Sequence, residues 1–87
     1  MAYTVELSNR AKRELAALSA NLQTRIVAAL RRLEENPRPS GIIKLEGEDD
    51  ICRLRIGDYR VLYEVHDTRL LVLVVKVGHR REVYRKR

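Results

Sequence analysis

Arg53-Leu54-Arg55-Ile56-Gly57-Asp58-Tyr59-Arg60-Val61-Leu62-Tyr63 decides how this chain folds. Two alternating runs flank Gly57-Asp58, and a two-residue, glycine-containing break between such runs is the signature of a tight β-hairpin. With the turn closed there, Ile56 faces Tyr59, Arg55 faces Arg60 and Leu54 faces Val61. Successive side chains point to opposite faces, so Cys52, Leu54, Ile56, Tyr59, Val61 and Tyr63 form one apolar face. Arg53, Arg55 and Arg60 form the other, which is expected to lie open to solvent, outside the core. Two arginines directly across a ladder repel each other, so the pattern serves stability poorly. A bound polyanion would relieve the repulsion.

Upstream of the hairpin, Tyr3, Val5 and Leu7 alternate with Thr4 and Glu6, as in a short half-buried strand. Ser8 or Asn9 can cap a helix whose inner face carries Ala11, Leu15 and Leu18, with Arg10, Lys12, Arg13 and Glu14 outside. Ser19-Ala20-Asn21 offers a second cap. A longer helix then runs to about Asn36 and buries Leu22, Ile26, Ala29, Leu30 and Leu33 at helical spacing. Pro37 stops it, because proline disfavours helical geometry in the residue before it. From Pro37 to Asp50 the composition is that of a loop, with Ile42, Ile43 and Leu45 tucked toward the core.

Downstream, His66-Asp67-Thr68-Arg69 forms a turn, and Leu70 to Val77 is a strand apolar on both faces, the mark of a central position in a sheet. Gly78 is expected to end it, leaving His79 to Arg87 as a basic tail. The fold class is therefore α+β, one domain over residues 1–87 in the order β-α-α-β-β-β. The helical hairpin packs on one face of a mainly antiparallel sheet.

Eighty-seven residues hold one modest core, and the net charge of +6 points to an acidic partner, nucleic acid or protein. The arginines cluster in the hairpin and after Val77. A single cysteine excludes an internal disulfide, and Cys52 reads as a small core residue. Two isolated histidines and one cysteine make no metal site, no glycine-rich phosphate loop is present, and no cofactor is expected. The longest apolar run, Leu70 to Val75, is too short to span a bilayer, and no signal peptide opens the chain, so a cytoplasmic protein is expected.

The order of elements, with Asn36-Pro37, Lys44-Leu45-Glu46-Gly47, Arg53 to Arg60 and Val77-Gly78-His79-Arg80, resembles the RelE/ParE toxin superfamily and its RelE branch most. The resemblance runs from Tyr3 to Tyr84. It implies a microbial-ribonuclease-like fold and the toxin of a type II toxin-antitoxin system, a ribosome-dependent endoribonuclease that cuts messenger RNA and inhibits translation. The implied partners are a cognate RelB-like antitoxin, the ribosome with its messenger, and operator DNA bound by the toxin-antitoxin complex. Arg53 and Arg55 fall where members of the family often carry lysines. Arg60, Arg80 and Tyr84 match an arginine on the following strand, an arginine after the last strand, and a tyrosine near the C-terminus.

Metal-independent cleavage of RNA requires the 2′-hydroxyl to attack phosphorus while the 5′-oxygen leaves. It needs a proton acceptor, a proton donor and positive charge on the phosphorane. Arg53, Arg55, Arg60 and Arg80 supply forked donors suited to phosphate oxygens. Tyr84 is a candidate base if the arginines lower its pKa, or a platform for a base, and His79 is an alternative acid or base. Two further readings stand beside the nuclease. One is a ParE-like inhibitor of DNA gyrase; the other is a non-catalytic member that binds only antitoxin and operator DNA.

Overall fold

The computed structural model describes residues 2–39, 43–44 and 51–79. Strand β1 is Thr4–Leu7, followed by helices α1, Asn9–Ala16, and α2, Ala20–Glu35; then come β2, Ile43–Lys44, β3, Ile51–Ile56, β4, Tyr59–His66, and β5, Leu71–His79. The sheet order is β1-β5-β4-β3-β2. Strand β1 runs parallel to β5, and the other pairs are antiparallel. The expected class and order of elements hold, with β2 added inside the segment expected to be a loop. Ile42 and Leu45 of that segment lie outside the described residues. Two residues are too few for an alternating pattern to be read.

Serines start both helices. Ser8 Oγ accepts from the Ala11 amide at 3.1 Å and Ser19 Oγ from the Leu22 amide at 3.3 Å, each satisfying a free N–H of a first turn. Gln23 binds the helices together, its Nε2 donating to the Leu18 carbonyl at 2.9 Å. The α2 helix ends at Glu35, and Asn36, before the proline, takes extended geometry (φ −146°). Ala11, Ile26, Leu30 and Leu33 from the helices meet Cys52, Val61, Tyr63, Val65, Val72, Val74 and Val77 from the sheet in one core. Tyr63 is fully buried, and its hydroxyl donates to the Pro37 carbonyl at 2.7 Å. Burial pushes the pKa of that phenol up.

Strand β5 lies between β1 and β4, as its apolar faces predict, but its limits differ from expectation at both ends. Leu70 is outside the strand, in left-handed geometry (φ 50°) after a 3-10 turn over Asp67–Arg69. At the other end β5 continues through Gly78 to His79, because β4 extends far enough to pair with both. The ladder is irregular in the middle: Leu62 pairs with Lys76 but Tyr63 with Val74, so Val75 is an extra residue. That bulge inverts the alternation of β5. Val77 rejoins the core behind Val72 and Val74, and Gly78 is set opposite Arg60.

Glu14 also departs from expectation. It does not project outward; Oε1 accepts from the Val77 backbone N–H at 2.8 Å, while Arg10 and Lys76 donate to Oε2 at 3.1 and 3.4 Å. The β1–β5 register ends at Leu7 and Val74, so α1 takes over the edge of β5 there and Glu14 supplies the acceptor a strand would have given. Burial pushes this carboxyl up, but the Val77 N–H, Arg10 and Lys76 outweigh it and hold it below the usual value.

Candidate active site

The hairpin closes in the expected register, with Arg55 opposite Arg60, Ile56 opposite Tyr59 and Leu54 opposite Val61. Gly57 takes the left-handed geometry (φ 60°) that a tight turn requires and that glycine adopts without strain. The opposed guanidinium groups gather on the turn itself. Arg55 Nε donates to the Gly57 carbonyl at 3.3 Å; Arg60 Nη1 reaches the same oxygen at 3.5 Å and the Tyr59 carbonyl at 3.2 Å. The negative ends of turn dipoles orient the two cations toward the same oxygen. Arg53 lies further down the same face of β3, opposite Leu62.

Arg60 is not the open-face residue that the alternation predicts, since only 7% of it is exposed. It sits on an interior strand with Arg55 on one side and Gly78 on the other. The guanidinium curls back over the turn onto the Gly57 and Tyr59 carbonyls. Arg60 is thus part of the packed sheet as well as a source of charge.

His79 is placed elsewhere. It pairs with Tyr59, their rings edge to face at a centroid distance of 5.5 Å, and both lie one residue out of phase with Arg60 and Gly78. Glu14, Leu18, Tyr59, Val77 and His79 line a cleft of about 390 Å³ on the helix side of the sheet. The sheet separates that cleft from the Arg55–Arg60 face. Arg80 and Tyr84 lie outside the described residues. Among the described residues no group of three or more His, Cys, Asp or Glu side chains comes together as a metal site.

Chemically, the tip offers forked N–H donors to an anion and can stabilise charge that develops on a phosphorane. Guanidinium stays protonated near neutrality, so the arginines cannot accept the 2′-hydroxyl proton. Two residues that the sequence reading passed over border the same region. Arg25 of α2 lies so close to the turn that a β-carbon on Gly57 would stand 3.3 Å from its Nη2. Arg32, two helical turns on, lines the same cleft as Arg25 and Arg55. Their spacing of seven residues, on either side of Ala28-Ala29, was the available signal.

Comparison with known proteins places this geometry in context. Residues 5–84 match the family model described as the ParE toxin of type II toxin-antitoxin system, parDE. The chain is 34% identical over 88 residues to the mRNA interferase toxin RelE of Escherichia coli K12, covering 97% of this chain and 92% of that one. It is 30% identical over 87 residues to the toxin RelG of Mycobacterium tuberculosis, covering 99% and 100% of the two chains. Among solved structures it resembles a chain of the intact Escherichia coli RelBE toxin-antitoxin complex, with a TM-score of 0.81, 29% identity and coverage of 90% and 96%. A chain of the archaeal RelE-RelB complex from Pyrococcus horikoshii gives a TM-score of 0.81 at 32% identity, with coverage of 92% and 97%.

Proposed function

The chain belongs to the RelE/ParE superfamily of type II toxin-antitoxin toxins, and from that premise we propose that it is an endoribonuclease that cuts messenger RNA on the ribosome and so inhibits translation. The observation that carries the reading is the hairpin tip, where Arg55 and Arg60 stand opposite each other and lean on one carbonyl oxygen. An arrangement so poor for stability suits a phosphate group that moves in between. The name of the Escherichia coli relative, an mRNA interferase, supports the same reaction.

In this reading Arg53, Arg55, Arg60 and Arg80 bind the scissile phosphate and stabilise the phosphorane formed by 2′-hydroxyl attack. Tyr84 takes the proton, and His79 is the alternative acid or base. The catalytic unit is one domain over residues 1–87, and it works without a metal or cofactor. A RelB-like antitoxin is the cognate partner, supported by the toxin-antitoxin complexes among the similar structures, and the pair binds its operator DNA. The setting is the cytoplasm; no described helix is long and apolar enough to cross a membrane.

The family model named for ParE favours a second reading, a gyrase poison that cleaves no RNA itself. Primer extension on a translated messenger, run with wild type and Arg80→Ala beside a gyrase cleavage assay on the same preparations, separates the two. Codon-periodic cuts that vanish in the variant establish the nuclease. Gyrase-dependent DNA breaks without RNA cuts move the protein to the ParE branch. A messenger carrying a 2′-deoxy nucleotide 5′ to the cut should resist cleavage; continued cutting there excludes 2′-hydroxyl attack.

A further inference from the structure

We propose that the RNA-binding surface continues from the hairpin tip onto α2, in a cleft where Arg25 and Arg32 hold the phosphates of an RNA strand next to the one that is cut. The proposal rests on the nuclease reading and extends it to residues outside the family pattern on which that reading was built.

The cleft lies between α2 and β3, has a volume of about 410 Å³, and is lined by Thr24, Arg25, Ala28, Ala29, Arg32, Leu54, Arg55 and Ile56. Three of those side chains are cationic and none is acidic. Among the described residues, Arg25, Arg32 and Arg55 form no ion pair with a carboxylate, whereas Arg10 is paired with Glu14 and Arg38 with Asp67. Asp58, the second residue of the turn, is exposed and forms no ion pair with the three among the described residues. Among the described residues no carboxylate is paired with the arginines of this cleft, so its lining is positive.

Placement makes the cleft continuous with the candidate site. Arg55 lines the cleft and also donates to the Gly57 carbonyl that Arg60 touches. Arg25 stands on the other side of that glycine, which has no β-carbon to displace it. From there two helical turns, about 10 Å of rise, lead to Arg32. Ala28 and Ala29 keep the floor between the two arginines low, and Leu54 and Ile56 make its wall apolar. Guanidinium forks above a small-residue apolar floor suit a single strand, whose phosphates take the forks and whose base faces stack on guanidinium planes or apolar surface. An acidic peptide would use the charge but has less use for the stacking surface.

Messenger and ribosomal RNA share this chemistry, and the test has an arm for each. Binding of a fluorescent single-stranded RNA, made uncleavable by 2′-deoxy substitution, and binding of empty ribosomes would be measured against salt for wild type and the Arg25→Ala/Arg32→Ala double variant. Cleavage kinetics on programmed ribosomes would be measured alongside. Expected are a roughly tenfold or greater rise in KM at physiological salt, kcat within about twofold, and a log-log salt slope shallower by about 1 to 2, reflecting two lost phosphate contacts. Arg25→Lys/Arg32→Lys should recover most of the loss. The arm that shows the weaker binding identifies the strand. Equal affinity and equal slope in both arms overturn the proposal, as does a double variant that loses only antitoxin binding. A wild-type protein that binds RNA through these arginines without cutting keeps the cleft and overturns the nuclease.

Discussion

Strand β4 ends in two turns that handle arginine in opposite ways. Beyond His66, Asp67 accepts both forks of Arg38, at 3.1 and 2.9 Å, together with the Tyr3 hydroxyl at 2.7 Å. That carboxyl is held below its ordinary value, chiefly by the Arg38 guanidinium and then by the Tyr3 hydroxyl, which is itself pushed up by donating to Asp67. Before Tyr59, by contrast, Arg55 and Arg60 both lean on the Gly57 carbonyl, a neutral oxygen that orients Arg55 without cancelling its charge. An arginine recruited to fasten a fold is given a carboxylate. Arg55, held by a neutral oxygen and in no ion pair among the described residues, keeps its charge for a ligand, and that difference marks one end of the meander as scaffold and the other as site.

The largest effect should come from crossing the comparison directly. Arg60→Ala is expected to lower messenger cleavage by about 100-fold or more, the usual consequence of deleting a donor aimed at transition-state charge, while Arg38→Ala stays within about twofold. Primer extension on the two variants side by side checks this. Since Arg60 is buried, the alanine variant should also melt earlier, and Arg60→Lys supplies a control that keeps charge and most of the packing. If Arg38→Ala lost as much cleavage as Arg60→Ala, the division into scaffold and site would fail.

The next effects lie on the scaffold. Glu14→Ala removes the acceptor of the Val77 N–H and should cost about 1.5 to 3 kcal/mol in denaturant unfolding, the range for bonds to a charged acceptor. Because folding lowers the pKa of Glu14, its contribution is complete above the ordinary value of 4.5 and fades as the pH falls through the lowered one. Glu14→Gln should therefore flatten the acid limb of the stability profile, and an unchanged limb would remove Glu14 from the scaffold. Tyr63→Phe should cost about 1 kcal/mol by stranding the Pro37 carbonyl, with cleavage unaffected.

Much of this division could be read in the sequence, and the rest could not, for identifiable reasons. The hairpin register was legible because Gly57-Asp58 interrupts strict alternation, which fixes every partner from Ile56–Tyr59 outward. Both serine caps and the stop at Pro37 were legible because each acts within one turn of chain. The burial of Arg60 was not, since alternation places it on the outer face and only the packed fold covers it; nor was its partner Gly78, set opposite it after a bulge at Val75 that no local pattern announces. Glu14 was misread for a related reason: helical periodicity places it outside, and only the early end of β1 gives it an edge to cover. Arg25 belongs to no motif of the sequence, and its place is set only by the approach of a distant hairpin turn.

The smallest expected effects come from the two left-handed residues, Gly57 (φ 60°) at the site end and Leu70 (φ 50°) at the scaffold end. A β-carbon costs about 1 to 2 kcal/mol in that geometry, which Gly57 avoids and Leu70 bears. Gly57→Ala should thus destabilise by about 1 kcal/mol and crowd Arg25, whose flexible end can yield by a few tenths of an ångström. Leu70→Gly should do the reverse, gaining up to about 0.5 kcal/mol once the greater freedom of glycine in the unfolded chain is subtracted. Leu70 is 36% exposed and outside the core cluster, so little packing is lost with it. Paired urea titrations read both signs, and a Leu70→Gly variant that lost stability would mean the leucine side chain anchors the Asp67–Arg69 turn. Cleavage gives the sharper contrast, because only the Gly57 substitution disturbs the carbonyl that holds Arg55 and Arg60. A strained leucine tolerated at one turn and an unstrained glycine at the other are consistent with the requirement for exact geometry lying where the arginines gather.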